Sequence, residues 1–249
     1  MNNSSLVDYK KISPNKTSPR NHVIDTITIH CMAGNCSVET CGNIFQPTST
    51  QASSNYGIGS DGRIGLYVEE KDRSWCSSSA SNDNRAVTIE VANDGGADTG
   101  WHVSAKAYAA LIDLCTDICK RNGIKQLLWK GDKSLIGQVS KQNMTVHRWF
   151  AAKSCPGDYL YNLHGKIAAE VNARLNTTTS TPSKPATSTS YQVRVTADVL
   201  NIRAGAGTNF KINGAIKDKG VYTIVAESNG WGKLKSGAGW ISLAYTKRV

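Results

Sequence analysis

The stretch Ile27-Thr28-Ile29-His30 has close counterparts at Val87-Thr88-Ile89-Glu90 and at Met144-Thr145-Val146-His147. In each stretch apolar and polar residues alternate and β-branched residues are frequent, a pattern that predicts a β-strand with one apolar face. Because successive side chains of a strand point to opposite faces, the threonines and the ionisable residues at the ends lie away from the apolar face. If the three strands are neighbours, their ionisable ends converge.

A hairpin and two helices are predicted around these strands. Residues 55–59 and 63–68 flank a Ser-Asp-Gly turn, in which glycine supplies a positive φ. Residues 104–122 carry apolar side chains at helical spacing and stop before Gly123, and a second helix is predicted from about residue 158 to residue 175. Strands that alternate with helices predict an α/β domain.

One boundary divides the 249 residues. Residues 176–190 consist almost wholly of Thr, Ser, Pro, Ala and Lys, a composition that predicts an extended linker because it cannot bury apolar area. We therefore predict one domain at residues 1–175 and another at residues 191–249. Short alternating segments and many glycine turns predict that the second domain is a small all-β barrel.

The net charge of +10 favours an anionic partner, such as nucleic acid, a membrane surface or an acidic wall polymer. Residues 177–249 hold 10 basic and 3 acidic residues, so most of the excess, +7, lies in the smaller domain. No apolar run approaches the roughly 18 residues that span a bilayer, which excludes an integral membrane protein. Met1 to Lys11 lack the apolar segment of a Sec signal peptide, so we expect synthesis in the cytoplasm.

Two histidines and one cysteine form a candidate metal site. His147 and Cys155 flank a short loop, and His30 ends the first strand. Three protein ligands with a fourth position open are typical of catalytic zinc. The same Cys155, with His147 as its base, would also suit a cysteine peptidase. The remaining histidines are interpreted as surface or core residues and six cysteines as packing residues with free thiols: His22, His102, His164, Cys31, Cys36, Cys41, Cys76, Cys115 and Cys119.

Four motifs occur in order along the first domain. They are Thr-Ile-His at 28–30, Ser-Asn-Tyr-Gly-Ile-Gly-Ser-Asp-Gly-Arg-Ile at 54–64, Val-Thr-Ile-Glu-Val at 87–91, and His147 followed by Lys-Ser-Cys-Pro-Gly at 153–157. Together they resemble the zinc-dependent N-acetylmuramoyl-L-alanine amidases of the phage-lysozyme and peptidoglycan-recognition type. The resemblance covers roughly residues 20 to 175 and implies an α/β fold, a mixed β-sheet flanked by helices with zinc in a surface groove.

The resemblance also implies a reaction and its residues. The bond cleaved is the amide between the lactyl group of N-acetylmuramic acid and the L-alanine of the stem peptide. One zinc ion per chain would be held by His30, His147 and Cys155. Glu90 would be the general base and later the proton donor, and Lys153 would stabilise the oxyanion. Tyr56 would orient water or contact the substrate, or it would be a buried structural residue. Whether Glu90 or Tyr56 is the principal base stays open.

The second domain resembles a bacterial SH3-like wall-binding domain. The resemblance rests on residues 195–208, on Asn229-Gly230-Trp231 and on Gly239-Trp240-Ile241, although Ala206 stands where proline is common. Four aromatic residues are candidates for a ligand groove or for core packing: Tyr222, Trp231, Trp240 and Tyr245. Its positive charge suits anionic wall polymers, or merely aids solubility.

These resemblances imply a phage or prophage endolysin that reaches the wall through a holin or by lysis. Its partners would be bacterial peptidoglycan and anionic wall polymers, with no nucleic acid and no integral membrane contact. A non-catalytic peptidoglycan receptor of the same fold is the remaining alternative. Such a receptor is expected to have lost the cysteine ligand, so Cys155 argues against it.

Overall fold

The computed structural model describes residues 2–176, 190–208, 210–228 and 230–249. The chain divides into two units, residues 1–179 and 180–249. The predicted linker at 176–190 lies, apart from its two end residues, outside the described residues. Among the helices of the described ranges, none combines the length and apolarity needed to cross a bilayer.

The first unit combines a sheet with helices. Its strands are β1 (Tyr9–Lys10), β2 (Lys16–Thr17), β3 (Thr26–Cys31), β4 (Tyr56–Ile58), β5 (Ile64–Leu66), β6 (Arg73–Ser74), β7 (Ala86–Val91) and β8 (Met144–Thr145). Its α-helices are α1 (Val38–Ile44), α2 (Ala80–Arg85), α3 (Ala105–Asn122) and α4 (Gly157–Asn176). The main sheet has the order β1-β5-β4-β7-β3-β8, and β2 pairs with β6 apart from it. Pairs β4–β7, β7–β3 and β3–β8 are parallel while β4–β5 is antiparallel, so the predicted mixed α/β sheet is confirmed.

One face of this sheet forms the core with α3 and α4. Apolar side chains of β3 and β7, among them Ile29 and Ile89, pack with apolar side chains of both helices. The predicted α3 forms because Ser104 Oγ accepts from the N–H of Ala107 at 3.1 Å, and it ends at Gly123 with φ +70°. The predicted hairpin also forms, with Gly62 at φ +89° in its turn.

The other face of the sheet carries a buried polar layer beneath α2. The hydroxyls of Thr28 and Thr145 lie 2.8 Å apart. Asn82 of α2 donates to Thr28 Oγ1 at 3.0 Å and accepts from Thr145 Oγ1 at 2.9 Å. Because one amide pairs with both hydroxyls, this layer fixes α2 against the adjacent strands β3 and β8. The predicted strand through His147 is shorter, since β8 ends at Thr145 and a 3-10 turn, His147–Trp149, follows.

The second unit is all-β. Its strands are β9 (Tyr191–Val195), β10 (Leu200–Arg203), β11 (Ile212–Ile216), β12 (Val221–Ser228), β13 (Trp231–Leu234), β14 (Trp240–Ser242) and β15 (Thr246–Arg248). They form an antiparallel sheet in the order β11-β10-β14-β13-β12-β9-β15, compatible with the predicted SH3-like barrel. Of its four candidate groove aromatics, Trp231 and Tyr245 line one cavity of about 390 Å³, and Tyr222 lines another.

Candidate metal centre

Three neighbouring strands bring the candidate site together. His30 on β3 and Glu90 on β7 are direct partners in a parallel register, so their side chains share one face of the sheet. β8 lies on the other side of β3 and leads into the turn that starts at His147. Because parallel strands end at the same edge, the three ionisable residues meet there. Cys155 joins them just before α4 begins at Gly157.

The candidate ligands lie close together. One side-chain atom each of His30, His147 and Cys155 falls within 4.8 Å of the others. Cys155 Sγ is 3.3 Å from His30 Nδ1, and the two imidazole centroids are 5.2 Å apart. Two imidazole nitrogens and one thiol are donors that zinc prefers, and three of them leave a fourth position open. The residues therefore fit a catalytic zinc ion.

Neighbouring serines orient both imidazoles. Ser77 Oγ lies 3.5 Å from Nε2 of the fully buried His30, and Ser78 Oγ lies 3.0 Å from Nε2 of His147. Burial, aided by His147, lowers the pKa of His30 to about 3, and burial also lowers the pKa of His147. Both rings are consequently neutral near pH 7, the form in which imidazole binds metal.

The segment that carries Ser77 and Ser78 is held in place by α2. Asp83 accepts from the backbone N–H groups of Cys76 at 3.0 Å and Ser77 at 3.1 Å, and Asn82 donates to Ser77 Oγ at 3.0 Å. Sequence reasoning missed these positioning residues. The available signal was a run of serines, since Ser79 caps the N-terminus of α2.

Glu90 presents a carboxylate beside the candidate ligands. Its Oε1 lies 3.9 Å from His30 Nδ1 and accepts from the Cys76 thiol at 3.8 Å. Its Oε2 is buried and has no hydrogen-bond partner among the described residues. Burial, reinforced by Cys31, raises the pKa of Glu90 to about 8, and a dication nearby would lower that pKa again. The carboxyl therefore lies beside the candidate ligands with a raised pKa.

Two cavities flank the site. A polar cavity of about 360 Å³ is lined by His147, Lys153, Arg73 and Trp75 among others, so the predicted oxyanion residue Lys153 borders the candidate ligands. A more apolar cavity of about 400 Å³ is lined by Glu90 together with Cys31, Met32, Cys36, Cys41, Ile44 and Phe45. The site therefore lies between a polar cavity, lined by Arg73, Lys153 and Asp83, and a more apolar cavity.

Tyr56 is the predicted site residue that the structure does not bring to the centre. On β4 it pairs with Ile89 and not with Glu90, so its side chain points to the opposite, core face of the sheet. It is fully buried, and its hydroxyl donates to Glu70 Oε1 at 2.7 Å. The structure thus places Tyr56 away from the candidate ligands, in the position of a buried structural residue, and its catalytic role stays a prediction.

The other histidines and cysteines occupy varied positions. His164 is buried, His102 is half-buried and His22 is exposed. All seven cysteines are free, as expected. Cys115 and Cys119 are buried in the core on α3, whereas Cys31 neighbours Cys155, which lowers the pKa of the Cys31 thiol. Cys76, interpreted from the sequence as a packing residue, lies against Glu90.

Comparisons with known proteins identify the family of the first domain. The family described as N-acetylmuramoyl-L-alanine amidase matches residues 20–158, more than half of the chain. A mutant endolysin from Bacillus subtilis has a similar fold, with a TM-score of 0.50 and 17% identity over 67% of this chain and 99% of that one. An endolysin N-acetylmuramoyl-L-alanine amidase from Clostridium intestinale gives a TM-score of 0.46 and 17% identity over 68% and 93%. A search of curated proteins finds no match.

Proposed function

The chain belongs to the N-acetylmuramoyl-L-alanine amidase family, and from this premise we propose that it is a zinc-dependent peptidoglycan hydrolase of phage or prophage endolysin type. The enzyme class follows from the family: an amidase that acts on peptidoglycan. The observation that carries zinc dependence is the approach of two imidazoles and one thiol to within 4.8 Å, beside a buried carboxylate.

His30, His147 and Cys155 would hold the zinc ion. When bound, zinc supplies Lewis acidity that polarises the scissile carbonyl and makes a water molecule more acidic. The chain's own contribution is to hold both imidazoles neutral and oriented, through burial and through the contacts of Ser77 and Ser78.

Glu90 is proposed to move the proton. Its Oε2, which has no hydrogen-bond partner in the described part of the chain, accepts the proton of the attacking water. The same carboxyl then donates this proton to the nitrogen of L-alanine as the amide breaks. One group suffices for both transfers because the proton taken in the first step is the one that the leaving amine needs.

Lys153 is proposed to stabilise the negative charge that develops on the carbonyl oxygen. It is exposed on the loop before Cys155 and lines the same cavity as His147, so its ammonium reaches the edge of the site. A cation near a developing oxyanion stabilises the transition state more than the ground state.

Residues 191–249 are proposed to bind the wall. The excess of positive charge in this part of the chain favours peptidoglycan with its anionic polymers, and the cavity lined by Trp231 and Tyr245 offers an aromatic surface. Residues 1–175 would then be the catalytic domain and 176–190 the tether. An endolysin of this plan acts at the wall after a holin or lysis releases it.

The cysteine peptidase alternative has less support. Its nucleophile would be the thiolate of Cys155. The neighbouring thiol of Cys31 and burial both raise the pKa of Cys155, which disfavours the thiolate that a nucleophile needs. Chelation distinguishes the two enzymes, because a cysteine peptidase does not need a metal ion.

Metal analysis of the full chain, paired with product masses, tests the proposal. We expect about one zinc ion per chain, loss of activity on chelation and recovery when zinc is added. Digested wall should yield stem peptides with a free L-alanine amine. Cys155→Ser should bind zinc more weakly, because a hydroxyl is a poorer ligand than a thiolate, while the half-buried Cys36→Ser control should bind normally. Full activity in a metal-free sample would contradict the proposal.

A further inference from the structure

A second group of metal-ligand residues adjoins the first. One side-chain atom each of His30, Cys76 and Glu90 lies within 4.8 Å of the others. The Cys76 thiol is 3.8 Å and His30 Nδ1 is 3.9 Å from Glu90 Oε1. A thiol, an imidazole and a carboxylate are the three kinds of side chain that bind zinc in proteins. The group therefore has the donors and the spacing of a metal site.

An unpaired atom gives a separate indication. Glu90 Oε2 is buried and has no hydrogen-bond partner among the described residues, whereas buried carboxylate oxygens are normally paired. The nearby carboxylate of Asp83 shows the usual pattern, because two backbone N–H groups donate to its Oδ2. A cation bound by Cys76 and by both carboxylate oxygens of Glu90 would satisfy the unpaired Oε2.

His30 links this group to the candidate metal centre. Its Nδ1 lies 3.3 Å from Cys155 Sγ and 3.9 Å from Glu90 Oε1, so one ring nitrogen faces both groups. An imidazole nitrogen has one lone pair and binds one ion at a time. Two ions would therefore compete for His30, and the second would bind more weakly than the first.

We propose that Cys76 and Glu90 form a second, weaker zinc position that competes for His30 and inhibits the enzyme when occupied. Binding there releases the thiol proton of Cys76 to the buffer and ties the Glu90 carboxylate to the ion. Glu90 is then a much weaker base, because the bound cation stabilises its ionised form and lowers its affinity for a proton from water. The inference rests on the proposed zinc dependence. It makes excess zinc inhibitory through Cys76, which is neither a proposed ligand of the first zinc ion nor a proposed proton carrier.

Cobalt titration of the full chain tests the proposal, with Cys76→Ser as the variant and Cys36→Ser as the matched control. Thiolate-to-cobalt absorption should rise through a first equivalent in all three proteins. Beyond it, wild type and Cys36→Ser should show a second, weaker rise that brings the absorption to about twice the first, since each ion gains one thiolate. Cys76→Ser should show no second rise. Its first equivalent also demonstrates that the variant is folded.

Zinc should give a parallel result in activity. Excess zinc should slow wild type and Cys36→Ser at least tenfold more than it slows Cys76→Ser, each relative to its own rate at one equivalent. A second cobalt rise that persists in Cys76→Ser, or that Cys36→Ser removes equally, would overturn the second position. Absence of even the first equivalent is a different result, because it would contradict the zinc dependence on which both proposals rest. In the cobalt titration, Cys76→Ala should likewise show no second rise.

Discussion

Replacing Tyr56 with phenylalanine distinguishes a structural role from a catalytic one, because the change removes one hydroxyl from a buried network. That hydroxyl donates to Glu70 Oε1 at 2.7 Å and accepts from the backbone N–H of Ser4 at 2.9 Å. The Glu70 side chain is wholly buried and also accepts from Arg121 and Asn122. The network ties the start of the chain and β4 to the end of α3.

The contacts set the size of the effect. Without the hydroxyl, the buried Ser4 N–H loses its acceptor, which costs about 1–3 kcal/mol. The Glu70 carboxylate loses less stabilisation, because it still accepts hydrogen bonds from Arg121 at 2.6 and 2.8 Å and from Asn122 at 3.0 Å. We expect Tyr56→Phe to lower the free energy of unfolding by about 2 kcal/mol, which for a domain of this size lowers Tm by roughly 4–8 °C.

Calorimetry and turnover of a soluble muropeptide measure the two roles separately. Tyr56→Phe should lower Tm and keep kcat within about twofold of wild type, since its hydroxyl lies on the other face of the sheet. Glu90→Gln is the matched contrast: kcat should fall by roughly 10² to 10⁴ with zinc still bound and Tm not lowered. A hundredfold loss of kcat in Tyr56→Phe at unchanged Tm would refute this reasoning and restore Tyr56 as a catalytic residue.

Three further outcomes are expected. Lys153→Met should lower kcat by about 10² with zinc content unchanged, and an unaltered kcat would remove Lys153 from oxyanion stabilisation. Burial lowers the pKa of His164 from 6.5 to about 4, so between these pH values the folded state keeps a neutral imidazole while the unfolded state gains a proton. The free energy of unfolding should therefore fall as pH drops from about 6.5 to 4. In urea denaturation, His164→Phe should reduce this dependence of the free energy of unfolding on pH. A chain of residues 1–179 should cleave soluble muropeptides at the rate of the full chain but intact walls more slowly, because residues 191–249 are proposed to raise the enzyme concentration at the wall. Equal rates of the two chains on intact walls would count against a wall-binding role for residues 191–249.

The parts of the site that lie on regular strands could be predicted from sequence. Strict alternation in Val87-Thr88-Ile89-Glu90 fixes which side chains share a face, and parallel strands end at one edge, so the approach of His30 and Glu90 follows once the strands are neighbours. The bounds of α3 were also accessible, because Ser104 and Gly123 mark its ends by side-chain capping and positive φ. Local physical chemistry determines both features.

Tyr56 shows why other parts of the site could not be predicted. Its strand, Tyr56–Ile58, is buried on both faces and contains a glycine, so its sequence has no apolar and polar alternation to indicate a face. The direction of Tyr56 depends on its register against β7, where a shift of one residue would pair it with Glu90 in place of Ile89 and turn it toward the site. Tyr56 donates to Glu70, which Arg121 also contacts, and accepts from the backbone N–H of Ser4. These bonds support the observed register, and the partners are distant in sequence. Cys76 is a similar case, since its approach to Glu90 depends on a loop held by Asp83 and not on any strand pattern.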